Sequence, residues 1–415
     1  MNQHTTSSQS FDAIIAGGGM VGLSLAIAAS QSGLRVAVIE PGVAEAPQLE
    51  PDVFSPRVSA VNHFTRQWFE SLGVWQQLPR QRLCGYRQMH VWDGLGQGQI
   101  AFDSDQIGHS ELGHIVENRW LLDAMLSVAS RQTRLELMAG HRLATWNQDN
   151  HQTIVQLEDG TELTSTVLAG CDGRHSKLRE QAGIDTREWP YHHTALVTSI
   201  KHQRPHQATA RQVFLDSGPL ALLPLNNSGD EHWSSIVWSA DTHRATELLA
   251  LDDEAFKQAL HQASEGCLGD IEQADPRHSF PLSQMHAKDY YKGRLVLLGD
   301  AAHAIHPLAG QGANLGFQDA KALSDEWARA HKYRLDLGER SIMRRYQRQR
   351  QTHNLAAMAA MDGFKRLFQS DQPLAVLARN IGMSQFNRHP LIKRPMMLAA
   401  TGQLVPWKPI GPGRT

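Results

Sequence analysis

Phe11-Asp12-Ala13-Ile14-Ile15-Ala16-Gly17-Gly18-Gly19-Met20-Val21-Gly22 is the stretch on which the fold turns. Residues 11–16 form a short apolar run of the kind buried in parallel sheets. Gly17, Gly19 and Gly22 then match G-x-G-x-x-G. In that pattern the first glycine permits a tight turn and the second lets a pyrophosphate reach the backbone. The third lets the helix pack close on the strand. A helix is predicted from about 21 to 32, stopped by Gly33, and 34–39 reads as the next strand, with Glu40 at its end. An acid there accepts hydrogen bonds from ribose hydroxyls, while the helix N-terminus attracts an anion. Glycine triplets also occur in ordinary turns. The strand before, the helix after and the acid at the expected distance supply the context that dinucleotide binding requires. The unit does not say which dinucleotide.

The rest of the chain bounds the answer. A length of 415 residues exceeds what one core usually serves, so two or three packed subdomains are expected. Basic and acidic side chains number 40 and 42, which argues against nucleic-acid binding by bulk charge. Cys84, Cys171 and Cys267 lie far apart with no C-x-x-C pair, against a structural zinc site or disulfide framework and compatible with a reducing cytosol. The 22 histidines show no metal-ligand spacing. The first ten residues lack the basic start and apolar core of a signal peptide and read as a frayed tail. No stretch of about 18 apolar residues appears.

Along the chain, 41–56 reads as a loop, 60–72 and 119–131 as helices, and 134–140, 153–157 and 162–169 as strands, with Asp159-Gly160 as a hairpin turn. Segments 194–201, 210–216, 219–225 and 234–239 carry β-branched and aromatic residues and predict a mostly antiparallel sheet. A buried-strand pattern returns at 295–298, followed by glycines and a long helix from about 314. From 341 onward the chain is helical, basic and Met-rich.

Two further motifs each follow an apolar strand. Cys171-Asp172-Gly173-Arg174-His175-Ser176-Lys177-Leu178-Arg179 reads D-G-x-x-S-x-x-R. Leu298-Gly299-Asp300-Ala301-Ala302-His303 reads G-D-A-A-H, with Pro307 and Gly310-Gln311-Gly312-Ala313-Asn314 after it. An acid at a strand end beside a helix N-terminus can hold a polyol hydroxyl, and the helix dipole can face a ring that carries negative charge. Each motif alone also fits an ordinary strand–turn–helix junction capped by Asp; three in this order are harder to reach by coincidence.

In this order the motifs resemble the group A flavoprotein monooxygenases, across nearly the whole chain. The resemblance implies an α/β fold: a Rossmann-like FAD-binding domain of the p-hydroxybenzoate-hydroxylase kind, an antiparallel β-sheet substrate domain and C-terminal helices. It implies FAD-binding segments at 1–80, 101–185 and 285–340, a substrate-domain excursion at 81–100, the substrate sheet at 186–284, and a helical region at 341–415. By the same resemblance Glu40 binds adenosine ribose and Asp300, after Gly299, binds the ribityl chain. Gly310, Gln311, Gly312, Ala313 and Asn314 line the isoalloxazine, and Pro307 counts among the cofactor-binding residues. Asp172 and Gly173 belong to a motif linked to FAD and NAD(P)H. Arg119, with Leu122 and Leu126, fits an R-x-x-L-x-x-x-L helix near the flavin phosphates, and Arg57 fits an arginine that approaches the flavin; either is otherwise a surface cation.

A closer resemblance is to the ubiquinone-biosynthesis hydroxylases. It is carried by Arg57-Val58-Ser59-Ala60-Val61-Asn62, Leu72-Gly73-Val74-Trp75, Gly113-His114-Ile115-Val116-Glu117-Asn118 and, most specifically, the run from Gly299 to Gly312. Tyr86, Met89, Val91-Trp92-Asp93, Ala210-Arg211-Gln212-Val213-Phe214 and Ser235-Ile236-Val237-Trp238-Ser239 look most like the UbiI type, which hydroxylates a polyprenylphenol; the UbiF and UbiH types share most of these motifs. The implied chemistry is flavin-centred. Reduced flavin activates O2, one oxygen atom enters a phenol ring, and the electrons come from NAD(P)H or another donor. No catalytic side chain and no metal is assigned. A ring with an isoprenoid tail requires an apolar tunnel, for which Phe214, Leu220, Leu222, Leu223 and Pro224 are the candidate wall, with sheet core as the equal alternative.

Met358, Met361, Phe364, Leu367 and Phe368, with Lys365, Arg366, Lys393, Arg394, Met396, Met397 and Leu398, form a candidate surface for peripheral contact with the inner face of the membrane or with a biosynthetic complex. Packing onto the chain's own core is the default there. A cytoplasmic location is expected, and a homo-oligomer is compatible with the sequence. Two other readings compete. A flavin halogenase or epoxidase is disfavoured by the lack of a W-x-W-x-I-P segment. A non-catalytic flavin-fold scaffold is disfavoured by the intact loop at 310–314.

Overall fold

The run that opens the sequence becomes the centre of a parallel sheet. In the computed structural model, which describes residues 9–42, 53–305, 311–368, 380, 382–383, 385–387 and 389–402, strand Gln9–Ala16 pairs in parallel with Glu162–Gly170 on one side and Val36–Glu40 on the other. Leu135–Ala139 extends the sheet beyond Val36–Glu40, and Leu295–Leu297 extends it beyond Glu162–Gly170, both again parallel. The apolar runs suit strands covered on both faces, since Ala13, Ile14, Ile15, Val36, Ala37 and Val38 have no exposed surface. Helices Met20–Gln31, Asn118–Ala129 and Gln311–Lys332 contribute Leu23, Ile27, Leu121, Met125, Phe317, Leu323 and Trp327 to this core. Each such side chain, fully buried, contributes about 1.5–3 kcal/mol.

The register places the sequence motifs together. Ala16 is opposite Gly170, Gly170 opposite Leu297, and Ala16 opposite Ile39. The glycine cluster, Asp172-Gly173, Gly299-Asp300 and Glu40 therefore all follow the carboxyl ends of neighbouring parallel strands, where open α/β sheets bind ligands.

A nine-stranded sheet forms the second layer, antiparallel except where Thr209–Leu215 runs parallel to Gln88–Asp93. Its centre is the 17-residue strand Thr186–His202, flanked by Asp230–Asp241 and His278–Ala287. Strands Gln88–Asp93 and Gln99–Asp103 join its far end. One face is covered by helices Thr242–Ala250 and Asp253–Ala263, which bury Leu248, Phe256 and Leu260 against Leu196, Ile200, Leu220, Leu222, Ile236 and Trp238. The other face turns toward the first layer. A small third sheet, Val58–Asn62, Gly113–Glu117 and Cys84–Tyr86, lies between them.

Three local expectations change. Residues 60–62 belong to strand Val58–Asn62, and the helix is His63–Leu72, because the Asn62 side chain caps it by accepting from Thr65 N–H at 2.9 Å. Strand Leu143–Gln148 was not expected; it pairs with Thr153–Leu157 as an antiparallel ribbon. The helix after 341 is not a separate layer at its start. Arg340–Phe368 places Ile342, Met343 and Tyr346 in the core of the parallel-sheet domain.

Candidate functional site

The glycine cluster has the geometry that its pattern demands. Gly17 has φ +106°, and a Cβ there would lie 2.3 Å from the Cys171 carbonyl oxygen. A Cβ on Gly22 would lie 1.9 Å from the Gly17 oxygen, so only glycine lets the helix approach the turn. Gly19 differs: a Cβ would meet nothing within 4 Å. Gly19 is the N-cap of Met20–Gln31, with no capping side chain and no acid in the first turn. The uncapped start of a 12-residue helix thus opens on the cavity, where its free N–H groups suit an anion such as a pyrophosphate. Glu40 is oriented by Gly18 N–H, which donates to Oε2 at 2.6 Å, and by Gly42 N–H, which donates to Oε1 at 2.9 Å.

From Gly19 a cavity of about 460 Å³ runs between the two large sheets. The first layer lines it with Met20, Gly173, Arg174, Asp300, Gly312 and Ala313, and Arg57 and His303, which pairs opposite His286 of the second layer, stand where the sheets meet. The second lines it with Ala195, Val197, Val237, Phe280 and Leu282. These second-layer residues share one sheet face, since Val197 is opposite Val237, Ala195 opposite Phe280, and His193 opposite Leu282. The Arg57 guanidinium lies over the Phe280 ring, 5.6 Å from its centroid, and spans the two layers. One wall is polar and glycine-rich, the other smooth and apolar, as a flavin with an aromatic ring against it requires.

The chain matches the FAD binding domain family over residues 10–361. It is 34% identical to the ubiquinone hydroxylase UbiL of Rhodospirillum rubrum, over 95% of this chain and 90% of that protein. It is 32% identical to the ubiquinone biosynthesis monooxygenase COQ6 of Xenopus tropicalis, over 94% and 93%. It is 31% identical to the 3-demethoxyubiquinol 3-hydroxylase of Escherichia coli K12, over 95% and 100%. The chain belongs to the FAD-dependent ubiquinone-biosynthesis hydroxylases. The p-nitrophenol 4-monooxygenase PnpA of Pseudomonas putida shares the fold, with a TM-score of 0.76 at 18% identity over 94% of this chain and 98% of that one.

Not every residue expected at the site of this hydroxylase reaches it. Pro307 and Gly310 lie outside the described residues, as does the side chain of Gln311. Asn314 is buried and faces away from the cavity: it donates to Ala60 O at 2.7 Å and accepts from Asn62 N–H and Thr65 Oγ1. It ties the long helix to the small sheet and does not line the ring site. Leu220 and Leu222 face the covering helices, because their parity matches Ile236 and Trp238, whereas the cavity face carries Val197 and Val237. Leu223 has the cavity parity but packs beside Phe54, Ile115 and Trp233. Phe214 stacks on Phe368 at 3.7 Å, and Pro224, though buried, is not on the cavity wall. Leu220 and Leu222 lie in the sheet core, the alternative for this segment, and Phe214, Leu223 and Pro224 pack elsewhere, off the cavity wall. Asp172 is at the edge of the site, where Oδ2 accepts from Leu178 N–H at 3.2 Å and Oδ1 is buried without a partner. Arg119 donates to Val53 O at 3.1 Å and lies 3.4 Å from Glu117, outside the cavity wall.

Two buried carboxylates to which the sequence motifs assign no role hold the site in place. Glu117 accepts from Ser55 N–H at 2.5 Å, Arg82 Nε at 2.9 Å and Trp120 Nε1 at 2.9 Å, and so fixes the segment that leads to Arg57. Asp319 lies behind the Gly299–His303 segment. Glu117 stands inside a quoted motif, but Asp319 does not; its one signal is an acid among the core positions Leu315, Phe317, Ala320 and Leu323 of an amphipathic helix.

Among the described residues no group of three or more His, Cys, Asp or Glu side chains is placed to hold a metal, and no helix is long and apolar enough to cross a membrane.

Proposed function

We propose that the chain hydroxylates the ring of a polyprenylated phenol on the route to ubiquinone, with the ring held between the Gly312-Ala313 segment and the sheet face of Ala195, Val197, Val237 and Phe280. The observation that carries this reading is a cavity in which the dinucleotide motifs meet an apolar sheet face. The substrate class is supported by the relatives, each named for a step of ubiquinone synthesis.

In this reading the N–H groups behind Gly19 hold the FAD pyrophosphate, Glu40 holds the adenosine ribose, and Asp300 holds the ribityl chain. Gly312 and Ala313 leave room for the ring system, Arg57 approaches it from the Phe280 side, and Asp172-Gly173 borders the entry for NAD(P)H or another donor. When bound and reduced, FAD supplies the activation of O2 and the transfer of one oxygen atom to the ring. The chain's own contribution is to orient both rings and to keep water out with the Val197–Val237 face.

A long isoprenoid tail stays in the bilayer, because each buried CH2 contributes about 0.8 kcal/mol. The enzyme then works at the cytoplasmic face of the membrane. Met358, Phe368 and Met397, expected on a docking surface, are buried. The exposed apolar side chains are Leu391 (90%), Ile392 (60%) and Met396 (39%) on helix Pro390–Ala400, whose Lys393 and Met397 face inward. That ridge, next to Arg394, is the contact we assign to the membrane surface. Deleting the gene under air should lower ubiquinone and accumulate a prenylated ring lacking one hydroxyl. Unchanged ubiquinone, in a host with no second hydroxylase for that step, would refute the substrate class.

A further inference from the structure

Asp319 is wholly buried in helix Gln311–Lys332, and four N–H groups converge on its carboxylate. Oδ2 accepts from Gly299 N–H at 3.1 Å and pairs with His303 Nε2 at 2.5 Å. Oδ1 accepts from Arg350 Nε at 2.7 Å and Asn354 Nδ2 at 3.2 Å. Arg350 also donates to Asn354 Oδ1 at 2.9 Å, and Asn354 reaches the Tyr290 hydroxyl, itself 3.1 Å from His286 Nε2. Burial by itself would raise the Asp319 pKa, but the His303 and Arg350 partners outweigh it and hold the carboxyl well below the usual range. An ionised carboxylate only accepts, so His303 carries its proton on Nε2.

The two residues held by Oδ2 bracket Asp300-Ala301-Ala302. Gly299 has φ +56°, and Asp300 stands on the cavity wall between the two anchors. Arg350 comes from a different helix and balances the charge, so the carboxylate can sit in the core without pulling a proton from solvent.

We propose that Asp319 and His303 are positioning residues for the flavin. Together they clamp both ends of the Gly299–His303 turn and so hold the Asp300 carboxylate where it meets the cofactor. This rests on the reading of Asp300 as the ribityl partner. The clamp needs an N–H donor at position 303; it does not need a titrating ring.

The test compares FAD dissociation constants, read by flavin fluorescence on apoprotein, for His303→Gln, His303→Leu, Asp300→Ala and the Asp300→Ala/His303→Leu double variant. Gln keeps a donor for Asp319 and Leu does not. His303→Leu should weaken FAD binding at least tenfold, and His303→Gln should stay within about threefold of the parent. The double variant should bind no more weakly than Asp300→Ala, because the clamp acts through Asp300. Equal losses for Gln and Leu, a full-affinity Leu variant, or multiplying losses in the double variant would each overturn the clamp. An Asp300→Ala variant of unchanged affinity would instead sink the ribityl reading, and the Gln–Leu pair would still decide whether the turn is clamped. Should His303→Leu not fold, His303→Ala makes the same comparison.

Discussion

Gly19 and Gly22 belong to one motif, yet their replacement should have opposite consequences. A Cβ at Gly19 meets nothing within 4 Å, and its backbone, at φ −70° and ψ 178°, is extended and open to any residue. Gly19→Val should therefore fold, with a loss of about 1 kcal/mol from replacing a tolerated N-cap by a poor one. Its side chain would stand in the pyrophosphate path and displace one or two charge-assisted N–H bonds, each worth roughly 1.5–3 kcal/mol. Every 1.4 kcal/mol is about tenfold, so FAD affinity should fall by at least about 10-fold when one bond goes and by at least about 100-fold when two go. At Gly22 the added Cβ would lie 1.9 Å from the Gly17 oxygen, which is backbone and cannot swing aside. Gly22→Ala should cost stability in the apoprotein, on the order of 1–3 kcal/mol or more as for other overpacked sites. Fluorescence titration with FAD and thermal melts of the apoproteins separate the two effects. A Gly19→Val protein with parental FAD affinity, or a Gly22→Ala apoprotein with an unchanged melt, would refute the reasoning.

Asp300→Ala should lower FAD occupancy by roughly 1.5–3 kcal/mol of binding energy, the worth of a charge-assisted acceptor; full occupancy with a shifted pH–rate profile would point to acid–base chemistry instead. Val197→Phe should fill the ring site, raising KM for the phenol at least tenfold while FAD stoichiometry holds, and an unchanged KM would move the ring elsewhere. His202 donates to Arg204 O and pairs with Ser234 Oγ, an arrangement that suits a neutral ring, and burial lowers its pKa to about 4. The unfolded chain takes up that proton first, near 6.5, so the stability is fully present above that pH and declines as pH falls toward 4, by about 1.4 kcal/mol per unit. His202→Gln should flatten this acid limb, and an unchanged slope in denaturant titrations at pH 7 and 5 would contradict the assignment. Leu391→Glu/Ile392→Glu should abolish flotation with anionic vesicles and leave FAD binding intact; retained flotation would remove the ridge from the account.

What the sequence could show was local. The βαβ unit at the N-terminus, the convergence of motifs on strand ends and the antiparallel second layer all follow from patterns a few residues long. Apolar runs mark buried strands, and glycines mark turns that other residues cannot make. What it hid depended on partners far along the chain. Leu220 and Leu222 sit on a real strand of the expected sheet, but which parity faces the cavity is decided by helices 20 to 40 residues later. Asn314 follows the glycines of the motif and still turns inward, because Ala60 O, Asn62 N–H and Thr65 Oγ1 wait there. Phe368 read as a docking residue because nothing local reveals Phe214 beneath it. Asp319 meets partners 16, 20, 31 and 35 residues away, a separation over which no spacing rule operates.

Ring hydroxylation is tested most directly by oxygen tracing with the purified, FAD-loaded protein. It would be supplied with a polyprenylphenol in vesicles, a reductant and ¹⁸O2, and the extracted ring analysed by mass spectrometry. One ¹⁸O atom per product ring is expected, dependent on FAD and lost in the Asp300→Ala protein. Reoxidation of the flavin with hydrogen peroxide as the sole product, and no labelled ring from any phenol of the ubiquinone route, would contradict ring hydroxylation.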